Sequence, residues 1–118
     1  MCIICELKII KNNKILLKKK RKLRKLRKLN CCNNVTEIPY IIGLKILNCN
    51  NTNIRKIPHI IGLKELDCYF TKVLKIPNII GLEKLNCAFT QITQIPNIKG
   101  LKILDCSKTK INKIPNIK

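Results

Sequence analysis

The chain has 118 residues, which suits a single domain, and it carries a formal net charge of +19. One His, six carboxylates and no glycine-rich phosphate loop leave no constellation for nucleophilic or acid–base chemistry, so the chain is read as a non-enzyme with no catalytic residue. With two Tyr, two Phe and no Trp, its core must be built from Ile, Leu and Cys.

The first 30 residues hold 12 of the 25 basic side chains and one acid, Glu6. Two readings of this segment compete. Leu7 and Ile10 stand 19 residues before Leu26 and Leu29, which would make 7–25 a degenerate copy of the repeat described below. Alternatively, residues 13–29 form a basic amphipathic helix that caps the chain, with Leu16, Leu23 and Leu26 on one stripe. The lack of proline and glycine in 7–25 weighs against the first. Like charges at i,i+4 weigh against the second by about 0.2–0.5 kcal/mol per pair. Residues 1–25 are thus a basic cap or a degenerate repeat.

Lys18, Lys19, Lys20, Arg21, Lys22, Arg24, Lys25, Arg27 and Lys28 form a candidate site for nucleic acid or another anionic surface within residues 14–28. The plainer alternative is a solvated charged turn. Lys18, Lys19, Lys20 and Arg21 also fit a nuclear-import pattern. The early apolar stretch is interrupted by Glu6 and Lys8, which is not the order of a secretory signal, and no apolar run approaches a membrane span. The expected location is intracellular: cytoplasmic, with nuclear entry through the basic run.

From residue 26 onward one unit recurs. It is irregular over 26–43, one residue short between Cys31 and Pro39, and regular over 44–62, 63–81, 82–100 and 101–118. The template reads L-x-x-L-x-C-x-x-T-x-I-x-x-I-P-x-I-x-G, and every landmark moves by 19 residues. Such a period predicts a solenoid. Within one unit, Leu47 and Cys49 alternate with Ile46, Asn48 and Asn50, which is strand spacing. A return crossing to the next parallel strand needs about a dozen residues, and 19 per turn leaves just enough. Proline lacks an N–H and fixes φ, so each Ile-Pro predicts an extended return leg in place of a helix.

This pattern resembles the leucine-rich repeat family, whose core motif is L-x-x-L-x-L-x-x-N-x-L. The Ile-Pro ending is most similar to the short repeats of bacterial effector proteins. The Lys, Asn and Ile bias, with Ile-Pro-x-Ile-Ile-Gly, is similar to leucine-rich repeat proteins of large amoeba-infecting DNA viruses. Cys replaces the usual Leu, and Thr52, Thr71, Thr90 and Thr109 replace the usual Asn, so a weaker polar ladder is expected. The resemblance implies an α/β-class horseshoe solenoid: a short parallel sheet on the concave face, an extended or 3-10 convex side and little helix.

It also implies that the outward strand positions and the turn after them carry recognition, with Ala88 among the exposed residues. The candidate partner-binding residues are Asn48, Asn50, Asp67, Tyr69, Phe70, Asn86, Phe89 and Asp105. Asp67 and Asp105 share a column with Asn48 and Asn86, which reads as an acid–amide recognition stripe. Ala88 should leave space beside Tyr69, with Phe70 and Phe89 stacked on its rim. The alternative for the two Phe is that they turn inward and pack under the next turn. The implied function is a non-catalytic scaffold for a protein partner; the alternative is a polyanion-binding module through 14–28.

Of the eight cysteines, Cys49, Cys68, Cys87 and Cys106 occupy an inward position, where free Cys acts as a small hydrophobe. A stacked ladder keeps their Cβ vectors parallel, which disfavours disulfides. Cys2 and Cys5 have half of a zinc spacing, but adjacent Cys31 and Cys32 are poor partners, so neither metal nor cofactor is expected. Reduced thiols suit a reducing compartment. The sequence stops at Lys118 in mid-return, so an uncapped edge open to self-association is expected there.

Overall fold

A computed structural model of the chain describes residues 10–11, 14–15 and 25–111. Two short strands, β1 (Ile10–Lys11) and β2 (Lys14–Ile15), pair antiparallel with Ile10 opposite Ile15. Five strands follow: β3 (Lys28–Asn30), β4 (Ile46–Asn48), β5 (Glu65–Asp67), β6 (Lys84–Asn86) and β7 (Ile103–Asp105). They form one parallel sheet in sequence order. Leu29, Leu47, Leu66, Leu85 and Leu104 lie side by side across it. The described residues contain no helix. This is a parallel-strand solenoid of about four turns with the 19-residue spacing expected from the repeat.

A helix running unbroken over 13–29 does not form, because β2 and β3 are both extended. Residues 7–9 and 16–24, on which the degenerate-repeat reading also rests, lie outside the described residues. The shortened repeat still docks in register, with Lys28 opposite Ile46. Its turn is closed by a backbone bond from Val35 N–H to the Cys32 carbonyl at 3.1 Å. The regular repeats use a threonine hydroxyl for the same purpose.

Alternation within each strand decides what is buried. Leu47, Leu66 and Leu85 point inward while their strand neighbours are at least partly exposed. Each full turn adds the same inward set: two Leu, one Cys, two Ile and a β-branched residue, as in Leu63, Leu66, Cys68, Val73, Ile76 and Ile79. These stack into one continuous core. Full burial of one such aliphatic side chain contributes about 1.5–3 kcal/mol, so each turn depends on its neighbours far more than on its own local bonds.

The return leg has few backbone bonds to hold it. Lys72 N–H reaches the Ile54 carbonyl and Lys110 N–H the Ile92 carbonyl, each at 3.2 Å. The buried Ile57, Ile76 and Ile95 before each proline anchor it instead. At the turn into each strand the chain passes through positive φ, +88° at Gly62 and +89° at Gly81, a conformation that a Cβ would strain.

Candidate interaction surface

Each strand exits into a tight turn that builds most of the candidate site. Asn48, Asp67, Asn86 and Asp105 each accept, through Oδ1, the N–H of the residue two positions on, at 3.1 Å in all four cases. This is an Asx turn, which both Asn and Asp can make because both offer a carbonyl-like oxygen. The column expected to be an acid–amide recognition stripe therefore also closes the strand ends. Asp67 is committed twice, since its Oδ2 accepts from Asn50 Nδ2 at 3.3 Å. The Ser107 hydroxyl (2.8 Å), followed by the Ser107 N–H, holds the Asp105 carboxyl below the usual carboxylate range.

Four residues beyond the Asx position, the threonine column satisfies the Cys carbonyls. The hydroxyls of Thr52, Thr71, Thr90 and Thr109 donate to the carbonyls of Cys49, Cys68, Cys87 and Cys106 at 2.7, 2.9, 2.7 and 2.6 Å. No buried side-chain N or O among the described residues lacks a partner. The polar ladder is complete with Thr, each hydroxyl reaching back three residues along its own turn.

Between the Asx and Thr positions the backbone turns left-handed. Asn51, Phe70, Phe89 and Lys108 have φ of 55°, 53°, 55° and 53°. Asn tolerates this region, whereas a bulky side chain there costs about 1–2 kcal/mol relative to the right-handed conformation. Phe70 and Phe89 are nevertheless 57% and 44% exposed, so they do not turn inward to pack under the next turn. With Tyr69 they form one aromatic cluster. Tyr69 and Phe89 meet edge-on at 5.3 Å between ring centroids, and Phe70 lies tilted at 6.3 Å from Tyr69 and 6.5 Å from Phe89. Two expectations need correction. Ala88 is buried, not exposed, and the space beside Tyr69 is taken by the Phe89 ring, which is tilted against Phe70 and not stacked on it.

Two grooves flank this cluster. One runs over the sheet and is lined by Lys28, Asn48, Glu65, Asp67, Lys84, Asn86 and Asp105 among others, with a volume of about 410 Å³. Glu65 and Lys84 pair across it at 3.3 Å. The other, about 630 Å³, lies beside Phe70 and Phe89 and is bordered by Leu74, Arg55 and Lys72. Of the basic candidates, Lys25, Arg27 and Lys28 are exposed at the start of the solenoid. Lys18, Lys19, Lys20, Arg21, Lys22 and Arg24 lie outside the described residues.

The thiols of Cys49, Cys68, Cys87 and Cys106 are outside any disulfide. Burial, followed by the neighbouring thiol, pushes Cys87 up to about 12 and raises Cys49 and Cys68 as well. Such groups are poor nucleophiles because the thiolate is the reactive form. Among the described residues no group of three or more His, Cys, Asp or Glu is placed to hold a metal ion, and no helix is long and apolar enough to cross a membrane.

No protein-family model, no curated protein and no solved structure matches the chain. The Asx and left-handed turn positions were the features that sequence reasoning missed. The Asn/Asp alternation two residues before Asn50, Tyr69, Ala88 and Ser107 was the available signal for the first. The second had none, because Asn, Phe, Phe and Lys share no chemistry.

Proposed function

We propose that the chain is a leucine-rich-repeat horseshoe acting as a non-catalytic scaffold, which captures a protein partner on the outer face of its parallel sheet and the aromatic turn beside it. The repeat reading is supported by one strand per turn with an irregular proline-bearing return, where a β-helix would repeat strands on further sides. The observation that carries the functional reading is the cluster of half-buried Tyr69 with exposed Phe70 and Phe89. Aromatic rings so placed offer large contact area at little cost in side-chain freedom, and such anchors dominate interface energetics.

A second reading is carried by the exposed Lys25 and Lys28 at the end of the basic run. In it, residues 14–28 bind nucleic acid or another polyanion. Salt separates the two, since binding to duplex phosphate should weaken with a log–log slope of about −0.9 per phosphate neutralised. The test is retention of proteins by the immobilised chain after nuclease treatment. Retention that survives raised salt and is lost on Tyr69→Ala/Phe70→Ala/Phe89→Ala supports the scaffold. Retention abolished by nuclease or modest salt supports the basic module. The free thiols suit an intracellular, reducing location, and β7, the last described strand, is an edge through which copies could associate.

A further inference from the structure

The other end of each strand carries a second feature, independent of the aromatic turn. In the turn that leads into the strand, Ile42, Ile61 and Ile80 are 61%, 75% and 85% exposed. They occupy the same repeat position, 19 residues apart, and so stand along one ridge with a spacing of roughly one strand separation, about 4.8 Å. A cation accompanies each. A methyl group on Gly43 would stand 2.8 Å from the Arg27 guanidinium. On Gly62 and Gly81 it would stand 3.2 Å from the Lys45 and Lys64 ammonium groups. Those two ammoniums donate to the Gly62 and Gly81 carbonyls at 3.4 Å. An ammonium has three donors, so each has N–H capacity left for an anionic group. The pattern stops at the fourth turn, where Lys99 takes the isoleucine position and Glu83 the lysine position.

We propose that this ridge is a docking edge for an anionic lipid surface, with Ile42, Ile61 and Ile80 entering the headgroup–acyl boundary and Arg27, Lys45 and Lys64 meeting anionic headgroups. Apolar side chains ringed by cations bind such an interface through buried apolar area plus attraction to anionic lipid. A second copy is disfavoured, because ridge-to-ridge contact would bring like cations together in a chain of net charge +19. None of the three isoleucines lines the groove over the sheet or the one beside Phe70, and a protruding ridge suits a deformable bilayer. Docking by this edge leaves the aromatic turn, at the opposite end of the strands, free for a partner.

The chain has no Trp, so Ile61→Trp in the full-length protein places a single reporter on an exposed position. Phosphatidylcholine vesicles with and without phosphatidylserine are the probes. The expected result is a blue shift of the Trp emission, with quenching by brominated acyl chains, only when phosphatidylserine is present. Ile42→Ser/Ile61→Ser/Ile80→Ser should lower partitioning about tenfold or more with an unchanged melting temperature, because the lost term is apolar burial in the bilayer. Co-sedimentation with the Trp still in water would show that the basic N-terminal run binds instead, and would overturn the ridge. Absence of binding would overturn it too, as would a dimer in solution that the Ser variant dissolves.

Discussion

At Phe70 and Phe89 two small energies oppose each other. Relief of the left-handed backbone by Asn is worth about 1–2 kcal/mol. Loss of an aromatic pair costs about 0.5–1.5 kcal/mol. Phe70→Asn should therefore leave stability within about 1 kcal/mol of wild type, whereas a core Phe→Ala loses about 3–5 kcal/mol. Phe70→Ala removes the ring and keeps the strain, so it should be less stable than Phe70→Asn by about 1 kcal/mol in urea denaturation. Equal stabilities would mean that the turn is not left-handed in solution.

The buried thiols make a second residue-scale case. Cys87 has its folded pKa raised from 9.0 to about 12, and Cys49 and Cys68 are raised too. Above pH 9 the unfolded chain releases these protons while the folded chain retains them. The stabilisation is therefore fully present below pH 9 and is lost progressively as pH rises from there through the folded value of about 12. Urea midpoints should fall from roughly pH 9 upward, and Cys49→Ala/Cys68→Ala/Cys87→Ala should flatten that fall. Labelling of these three thiols in the native protein should be slow and should become fast on unfolding; labelling at the rate of a free peptide would put the inward phase in error. Cys87→Ser places a hydroxyl in the stack and should cost about 1–3 kcal/mol.

The turn after each strand is held by two side chains with different tasks, Asx on the next N–H and Thr on the Cys carbonyl. Asn86→Ala strips the partner from the N–H of Ala88, which is buried, so a loss of about 1–3 kcal/mol is expected by chemical denaturation. Asn86→Asp should cost much less, because Asp67 and Asp105 make the same bond in their own repeats. A similar loss for both substitutions would count against the Asx role.

This is also the scale at which sequence and structure part company. The inward Leu and Cys phase, the parallel register and the extended proline leg were legible because burial repeats with the period. The threonine bonds were partly legible, since the family resemblance pointed to that column. Ala88 was misassigned because its methyl is small enough to be covered by its surroundings, whereas Asn50, Tyr69 and Ser107 at the same repeat position stay at least partly exposed. The left-handed step is imposed by a turn geometry shared by all repeats, whatever side chain stands there, so composition could not reveal it.

Across the whole molecule the solenoid separates its surfaces. The turns entering β4, β5 and β6 carry the isoleucine–cation ridge, the strand face carries the paired Glu65 and Lys84, and the exit turns of β5 and β6 carry the aromatic cluster. Each turn contacts mainly its neighbours, so changes on one rim should add to changes on the other. The ridge and aromatic variants should accordingly have independent effects on vesicle partitioning and on protein capture. The most direct measurement of the central claim is photo-cross-linking from a benzoyl-phenylalanine placed at position 70, with the same group at exposed position 56 on the return leg as the comparison. The expected result is a discrete protein adduct from position 70 that resists nuclease and is absent from position 56. Adducts from 56 alone, or from neither position while the chain still retains a partner, would contradict recognition at the aromatic turn.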